Sequence, residues 1–191
     1  MKIRISHLNG KYDIEQGADL CEVFGTPDCE TYKELFETGW LPTKNGEWYQ
    51  SRSSRVKIDK LSGTRRYEVK KLNVSNEGNW QKIFEETKYL YPNFQEDYIR
   101  TYLSFNHEIY YFGDSVFAIL NWFDDIPFFS TVIGGRIQKN GVTPLTCYYF
   151  IQKLLDHSYP YLYISEWYDQ FNFKAKYPNF EWWDGEKWMK K

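Results

Sequence analysis

The segment from residue 107 to residue 166 constrains the fold most, because three strand-like runs precede one helix and one further strand. The runs HEIYYF, SVFAILNWF and PFFSTVIGGRIQ are rich in aromatic and β-branched residues, and Gly-Asp and Asp-Asp turn signals separate them. They predict an antiparallel meander. Helical spacing of apolar residues predicts a helix over 143–157, and YLYIS predicts a buried strand. The pattern predicts an α+β fold with a mixed, mostly antiparallel twisted sheet flanked by helices.

The N-terminal part is predicted to add a strand at KIRIS, a helix from Asp28 to Gly39 and a β-hairpin. The hairpin pairs EWYQSRSSRVKID with RRYEVKKL, and LSGT forms the reversal between them. Two helices follow before residue 107. We therefore predict an N-terminal strand, helix and hairpin elaboration over 1–73, packed on a core over 74–191.

Composition limits the classes of function. The formal net charge is −2, which argues against a protein held on nucleic acid by bulk electrostatics, although a local basic stripe remains compatible. Aromatic residues make up 20% of the chain, more than a core alone requires, so part of the aromatic surface is expected to line a groove or pocket.

The three cysteines have no Cys-x-x-Cys spacing, so neither a disulfide framework nor a metal site is expected. The start MKIRISHLNG has no apolar signal region, and no apolar run reaches the length of a membrane span. We expect a soluble, cytoplasmic protein with no membrane partner. The sequence does not predict its oligomeric state.

A turn after the third meander strand leads directly into the predicted helix. Asn140-Gly141 favours a tight turn, Thr143 is a helix-capping residue, and Pro144 suits the first helical turn. Backbone N–H groups at such a helix N-terminus can hold an anion. The alternative is that the turn merely has to be tight.

The segment Gln138-Lys139-Asn140-Gly141-Val142-Thr143 resembles the acyl-CoA loop of GNAT-fold acyltransferases, with Thr143 in place of the family's last Gly or Ala. The order of elements is also similar to the GNAT layout. This resemblance implies a GNAT-like core in which backbone amides of the loop bind the donor. The donor-binding residues it implies are Val132, Gly134, Arg136, Gln138, Gly141 and Thr143.

Three further segments resemble the arginyl- and leucyl-tRNA–protein transferases, a branch of that superfamily. LFETGW with the following Tyr49, Arg55-Val56 and Arg65-Arg66 is similar to their N-terminal signature, with SRSSR in place of its cysteines. VFAILNWFDDIPFFSTV is similar to their central strand pair, and Phe173-Lys174-Ala175-Lys176-Tyr177 to their closing segment. The chain is shorter than those enzymes, and a compact phage-type relative would also fit.

The resemblance implies transfer of an acyl or aminoacyl group from acyl-CoA or aminoacyl-tRNA to an amine, with no covalently bound cofactor. The acceptor amine must be neutral, the donor carbonyl must be polarised, and the leaving group must collect a proton. A base can come from Asp125, Glu166 or His107, and Tyr163 or Tyr168 can supply the proton. The sequence does not choose among them.

Cationic side chains form a second group of candidates. Lys174 either extends to solvent or binds a phosphate or carbonyl of the donor as a compact charge. An Arg-rich hairpin beside aromatic residues suits a phosphate backbone with a base to stack on, or else is a solvated strand face. The candidate contacts to an acceptor, tRNA or DNA are Trp40, Arg52, Arg55, Arg65 and Arg66.

The resemblance therefore predicts a GNAT-fold acyltransferase, similar to the aminoacyl-tRNA–protein transferases, that acts on an amine by direct, metal-free transfer. The alternatives are an acetyl-CoA-dependent N-acetyltransferase, a GNAT-like enzyme that modifies a DNA nucleobase, and a binding module without catalysis.

Overall fold

A computed structural model gives the architecture of the chain. It describes residues 3–5, 23–25, 29–42, 48–50, 52–58, 72–75, 80–90, 96–112, 116–134, 147, 151, 155, 159–167 and 174–191. The chain forms two compact units. A terminal unit comprises Met1–Lys57 and Tyr161–Lys191, and a central unit comprises Ile58–Pro160. The division after residue 73 that the sequence indicates stays a prediction.

The terminal unit contains two antiparallel strand arrays. The first has the order β1-β2-β4-β3, formed by Ile3–Ile5 (β1), Val23–Gly25 (β2), Trp48–Gln50 (β4) and Trp40–Pro42 (β3). The second has the order β12-β11-β5-β10, formed by Trp188–Lys190 (β12), Phe180–Trp183 (β11), Ser53–Lys57 (β5) and Tyr161–Glu166 (β10). β5 therefore lies between two strands that come from far along the chain.

A short helix, Tyr32–Glu37 (α1), precedes β3. The Thr31 side chain accepts a hydrogen bond from the Glu34 backbone N–H, and the Glu34 carboxylate accepts one from the Thr31 backbone N–H, which completes a capping box. Leu35 and Phe36 are the buried residues of α1. The helix lies within the predicted range from Asp28 to Gly39.

The central unit has the strand order β9-β8-β7-β6, and every pair is antiparallel. Its elements are Leu72–Ser75 (β6), Trp80–Thr87 (α2), Glu96–Leu103 (α3), His107–Phe112 (β7), Val116–Phe123 (β8) and Ile126–Gly134 (β9), with a 3-10 helix at Lys88–Leu90. The predicted meander is confirmed as β7, β8 and β9.

Aromatic side chains of the two helices pack on one face of this meander. The Trp80 ring of α2 lies 6.4 Å from the Phe117 ring, and the Tyr102 ring of α3 lies 5.8 Å from the Phe128 ring. Ile99 and Tyr102 are buried on α3. The apolar stripes of α2 and α3 thus cover the aromatic residues of β8 and β9.

The segment after the meander contains buried apolar residues at helical spacing. Cys147 and Ile151 have helical backbone, and the Leu155 amide donates to the Ile151 carbonyl at 3.1 Å. All three side chains are buried. Positions four apart share one face of a helix, as the sequence predicts for 143–157.

The α+β class and the mostly antiparallel sheet are confirmed. The predicted Arg-rich hairpin is wrong along β5, because β10 occupies one edge of this strand and β11 the other. The run predicted as one strand instead forms β4 and β5, which belong to separate arrays. In the part of the chain that the structure describes, no helix is long and apolar enough to cross a membrane.

Candidate functional site

The C-terminal end of β10 carries a β-bulge. Tyr163 pairs with Arg55, but Glu166 pairs with Ser53, so β10 has one residue more than β5 over this stretch. Ser165 adopts a φ of +66°, a left-handed conformation that costs an L-residue energy. The Ser54 hydroxyl donates to the Ser165 carbonyl at 2.6 Å and holds the bulge to β5.

Lys174 secures the other two carbonyls of this bulge. It begins a 3-10 helix, Lys174–Lys176, and its Nζ donates to the Ile164 carbonyl at 2.8 Å and to the Glu166 carbonyl. Burial lowers the pKa of the Lys174 amine to about 8, and the charge of the Glu166 carboxylate partly opposes that shift. A lowered pKa increases the fraction of neutral amine near neutral pH, and only the neutral amine can accept a proton or attack a carbonyl carbon.

Arg52 lies in a tryptophan cluster beside the bulge. Its guanidinium carbon is 5.7 Å from the Trp167 ring and 5.6 Å from the Trp182 ring. The Trp167 amide donates to the Arg52 carbonyl at 2.9 Å, and Lys191 Nζ lies 5.1 Å from the Trp167 ring. Arg52 is 2% exposed, so these cation–π contacts form inside the terminal unit.

Arg55 forms a buried ion pair with Glu181 across β5 and β11. Its Nε and Nη2 atoms each lie 2.8 Å from Glu181 Oε2, and both residues are 7% exposed. The Tyr161 ring lies 3.7 Å and the Trp188 ring 4.0 Å from the guanidinium carbon. The charge of Arg55 is therefore neutralised and enclosed within the terminal unit.

These positions bear on the predicted contacts to an acceptor, tRNA or DNA. Arg52 and Arg55 are buried rather than solvated, and Trp40 is buried as well. A guanidinium that already pairs with a carboxylate is a poor contact for a phosphate backbone. Arg65 and Arg66 lie outside the described residues, so their role stays a prediction.

The central unit carries a second bulge, in β9. Ile119 pairs with Thr131 while Leu120 pairs with Phe129, which leaves Ser130 as the extra residue. The Ser130 hydroxyl donates to Asn121 Oδ1 at 2.7 Å. The buried Asn121 amide in turn donates to the Tyr102 carbonyl of α3 at 2.7 Å. This hydrogen-bond chain fixes the bulge to the helix.

Two predicted donor-binding residues follow this bulge on β9. Val132 is half-buried and pairs with Ala118, and Gly134 is buried and pairs with Val116. Arg136, Gln138, Gly141 and Thr143 lie outside the described residues, so their roles stay predictions.

Of the predicted catalytic residues, the structure brings Glu166 and Lys174 together at the β10 bulge. Tyr163 is fully buried, and its ring lies 4.6 Å from the Phe36 ring and 5.9 Å from the Trp188 ring. It therefore belongs to the packed interior of the terminal unit. Asp125 is exposed in the β8–β9 turn of the central unit, beside Asp124 with φ +55°.

His107, another candidate base, begins β7. Its Nδ1 lies 2.9 Å from the Phe105 carbonyl, and this contact orients the half-buried ring. If Nδ1 carries the proton that this carbonyl accepts, Nε2 is the basic nitrogen. Tyr168 lies outside the described residues.

Sequence reasoning missed a carboxylate and phenol pair on β7. Tyr110 donates its hydroxyl hydrogen to the Glu108 carboxylate. Burial, and then the hydrogen bond to Glu108, raise the pKa of Tyr110 well above its usual range. The signal was available, since residues two apart on a strand share one face.

Sequence reasoning also missed Ser54 and Ser165, because no residue pattern signals a left-handed serine at a strand end.

Among the described residues, no group of three or more His, Cys, Asp or Glu side chains is placed to hold a metal ion. The chain matches no protein-family model and no curated protein.

Proposed function

We propose that this protein is an acyltransferase that moves an acyl or aminoacyl group from an activated donor to an amine by direct transfer. The observation that carries the proposal is the bulge in β9, the third strand of the meander. A bulge disrupts the regular ladder of hydrogen bonds and re-aims nearby backbone groups. Backbone N–H groups released in this way can stabilise the negative charge that develops on the oxygen of a carbonyl under attack.

The hydrogen bonds around Ser130 support this proposal because they hold the bulge in one geometry. Asn121 accepts from Ser130 and donates to the Tyr102 carbonyl, so α3 and β8 both fix the position of the bulge. Electrostatic stabilisation of a transition state depends on donors that are already in place before the reaction. A bulge that is fastened on both sides meets this requirement.

The chain order after the bulge gives further support. β9 ends at Gly134, and the next described residues, Cys147, Ile151 and Leu155, lie at helical spacing with buried side chains. The intervening sequence contains Gln138, Gly141 and Thr143, which resemble the donor loop of GNAT acyltransferases. A helix N-terminus in this position would favour the pyrophosphate of CoA or a phosphate of tRNA.

The nucleobase-modifying alternative has lost part of its support. It depended on four arginines, and two of them, Arg52 and Arg55, are buried within the terminal unit. An aminoacyl-tRNA donor needs phosphate contacts as well, so it now depends on the donor loop and on Arg65 and Arg66. An acyl-CoA donor depends only on the segment that resembles the GNAT donor loop.

The test is a thermal-shift titration of the purified chain with CoA, acetyl-CoA, adenosine and charged or uncharged tRNA. A ligand that binds only the folded state raises the melting temperature by mass action. We expect acetyl-CoA or charged tRNA to raise it and adenosine to have no effect. Turnover is then measured as release of free thiol, or of deacylated tRNA, with a panel of amines.

Two variants of the loop separate charge from shape. Gly141→Asp is expected to abolish the shift, because its carboxylate would repel the donor phosphates. Gly141→Asn has nearly the same size without the charge, and it should retain more of the shift. Absence of any response in the folded wild-type protein would instead support the non-catalytic binding module.

A further inference from the structure

Two carbonyl groups fix the direction of the Lys174 amine. Nζ donates to the Ile164 carbonyl at 2.8 Å and to the Glu166 carbonyl, and both acceptors belong to the bulged end of β10. A neutral amine has two N–H bonds and one lone pair, whereas an ammonium has three N–H bonds. The two carbonyls can use both hydrogens of the neutral form, and the lone pair then points away from the bulge.

The surroundings of Nζ also raise the fraction of the neutral form above that of an exposed lysine. Burial lowers the pKa of Lys174 to about 8, even though the Glu166 carboxylate acts in the opposite direction. About a tenth of the amine is then unprotonated at pH 7, compared with well under a thousandth for an ordinary lysine of pKa about 10.4. Residue 174 as a whole is half-buried, so part of its side chain is open to solvent.

We propose that Lys174 is a covalent acylation site, at which the amine held by the Ile164 and Glu166 carbonyls attacks a small activated acyl group. Thioesters, acyl phosphates and activated esters share the required chemistry, a carbonyl carbon that bears a good leaving group. The Nζ atom forms a C–N bond to that carbon, and the bond from carbon to the leaving sulfur or oxygen breaks. One proton leaves Nζ and passes to the leaving group or to water.

Acylation changes what Lys174 does for the bulge. The product is an amide that keeps one N–H, so one of the two backbone carbonyls loses its donor. The positive charge that faces Glu166 is lost as well. Acylation of Lys174 therefore loosens the C-terminal end of β10, and the site is a modification site with a structural effect. This inference does not depend on the proposed transferase activity, because the acyl group can come from any of the reagents named.

Competitive labelling of the intact, folded chain tests the inference. The protein is treated with a limiting amount of N-hydroxysuccinimidyl acetate between pH 6 and pH 10, and acetylation of each lysine is quantified by peptide mass spectrometry. Lys176 is the internal control, since it lies two residues along and is exposed. We expect Lys174 labelling to have its midpoint near pH 8 and to exceed Lys176 labelling at least tenfold at pH 7.

Three comparisons make the result decisive. Labelling in 8 M urea should remove the advantage of Lys174, because the bulge no longer exists in the unfolded chain. Acetyl phosphate, used in place of the ester, should reproduce the preference for Lys174. Lys174→Arg keeps a positive charge and several donors but has no nucleophilic amine. It should therefore abolish labelling at position 174 and leave Lys176 labelling unchanged.

The proposal is overturned if Lys174 in the folded protein reacts more slowly than Lys176 at every pH. It is also overturned if the labelling midpoint of Lys174 is the same in the folded and the urea-treated chain.

Discussion

Gly39 lies directly against the indole of Trp183. It has a φ of +78°, and a Cβ atom added there would lie 2.4 Å from Trp183 Cγ, far inside van der Waals contact. The Gly39 carbonyl also accepts a hydrogen bond from the buried Ser53 hydroxyl. Glycine is required here both by the backbone conformation and by the ring, so the end of α1 is fixed against β11 and β5.

Gly39→Ala is therefore expected to lower the free energy of unfolding by about 2–4 kcal/mol, from left-handed strain of about 1 and overpacking of about 1–3. Urea unfolding followed by tryptophan fluorescence measures the change. Gly185→Ala is the control, since Gly185 has a φ of +107° but lies in the β11–β12 turn. An equal loss for both variants would show that Trp183 does not restrict position 39.

The Arg55–Glu181 pair predicts strong coupling in a double-mutant cycle. Arg55→Met or Glu181→Leu alone leaves one buried charge without its partner, which costs about 3–5 kcal/mol. The double variant removes both charges and should be more stable than either single variant. The free energies of unfolding of the four proteins give the coupling, and additive losses would contradict a buried pair.

The buried Asn121 predicts graded losses in the central unit. Ser130→Ala removes one donor to Asn121 and is expected to cost about 1 kcal/mol. Asn121→Ala also leaves the Tyr102 carbonyl without this donor and creates a cavity, so about 2–4 kcal/mol is expected. Thermal unfolding of the two variants measures these losses, and Asn121→Ala should show the larger one. If bulge geometry serves acyl transfer, kcat should fall in Ser130→Ala although the protein stays folded.

The lowered pKa of Lys174 predicts a pH-dependent stability. Between about pH 8, its value in the folded state, and 10.5, its usual value, the unfolded chain holds a proton that the folded chain has released. Unfolding then takes up a proton, so the stability of the folded state rises with pH across this window and is unaffected below it. The difference in unfolding free energy between wild type and Lys174→Met isolates the effect.

Lys176→Met is the matched control for that measurement, and it should follow the wild-type pH curve. From the sequence alone, Lys174→Met is expected to keep the free energy of unfolding within about 0.5 kcal/mol of wild type, as surface substitutions usually do. The structure changes this expectation at neutral pH. Loss of two donors to the Ile164 and Glu166 carbonyls should cost about 1–3 kcal/mol. A curve for Lys174→Met parallel to wild type from pH 7 to pH 10.5 would contradict the shifted pKa.

Local signals predicted much of the fold. The β7–β9 meander follows from alternating residues and short turn sequences, and α1 lies within the helix predicted from Asp28 to Gly39. Such features are predictable because their hydrogen bonds join residues that are close in sequence.

The partners of β5 were not predictable in this way. Alternation of residue types predicts a strand, but it does not predict which distant strand pairs with it. The next strand-like run in the sequence was predicted as the partner of β5, and that prediction is wrong. The burial of Arg55 depends on Glu181, 126 positions away, so residue type alone suggested an exposed cation. Of the candidate site, Lys174 and Glu166 were found from the sequence, whereas the left-handed Ser165 was not.

The position of β5 between β10 and β11 has a consequence for biosynthesis. On the ribosome, Ser53–Lys57 is synthesised long before Tyr161–Glu166 and Phe180–Trp183. Both edges of β5 therefore lack their partner strands while the central unit is being synthesised. The central unit can fold during translation. The terminal unit can form only once its C-terminal strands have been made, and it must then bring together segments that are far apart in the chain. A newly made chain therefore carries Arg55 without its counter-charge until Glu181 arrives, and that interval is when a chaperone or a misplaced strand would compete for β5.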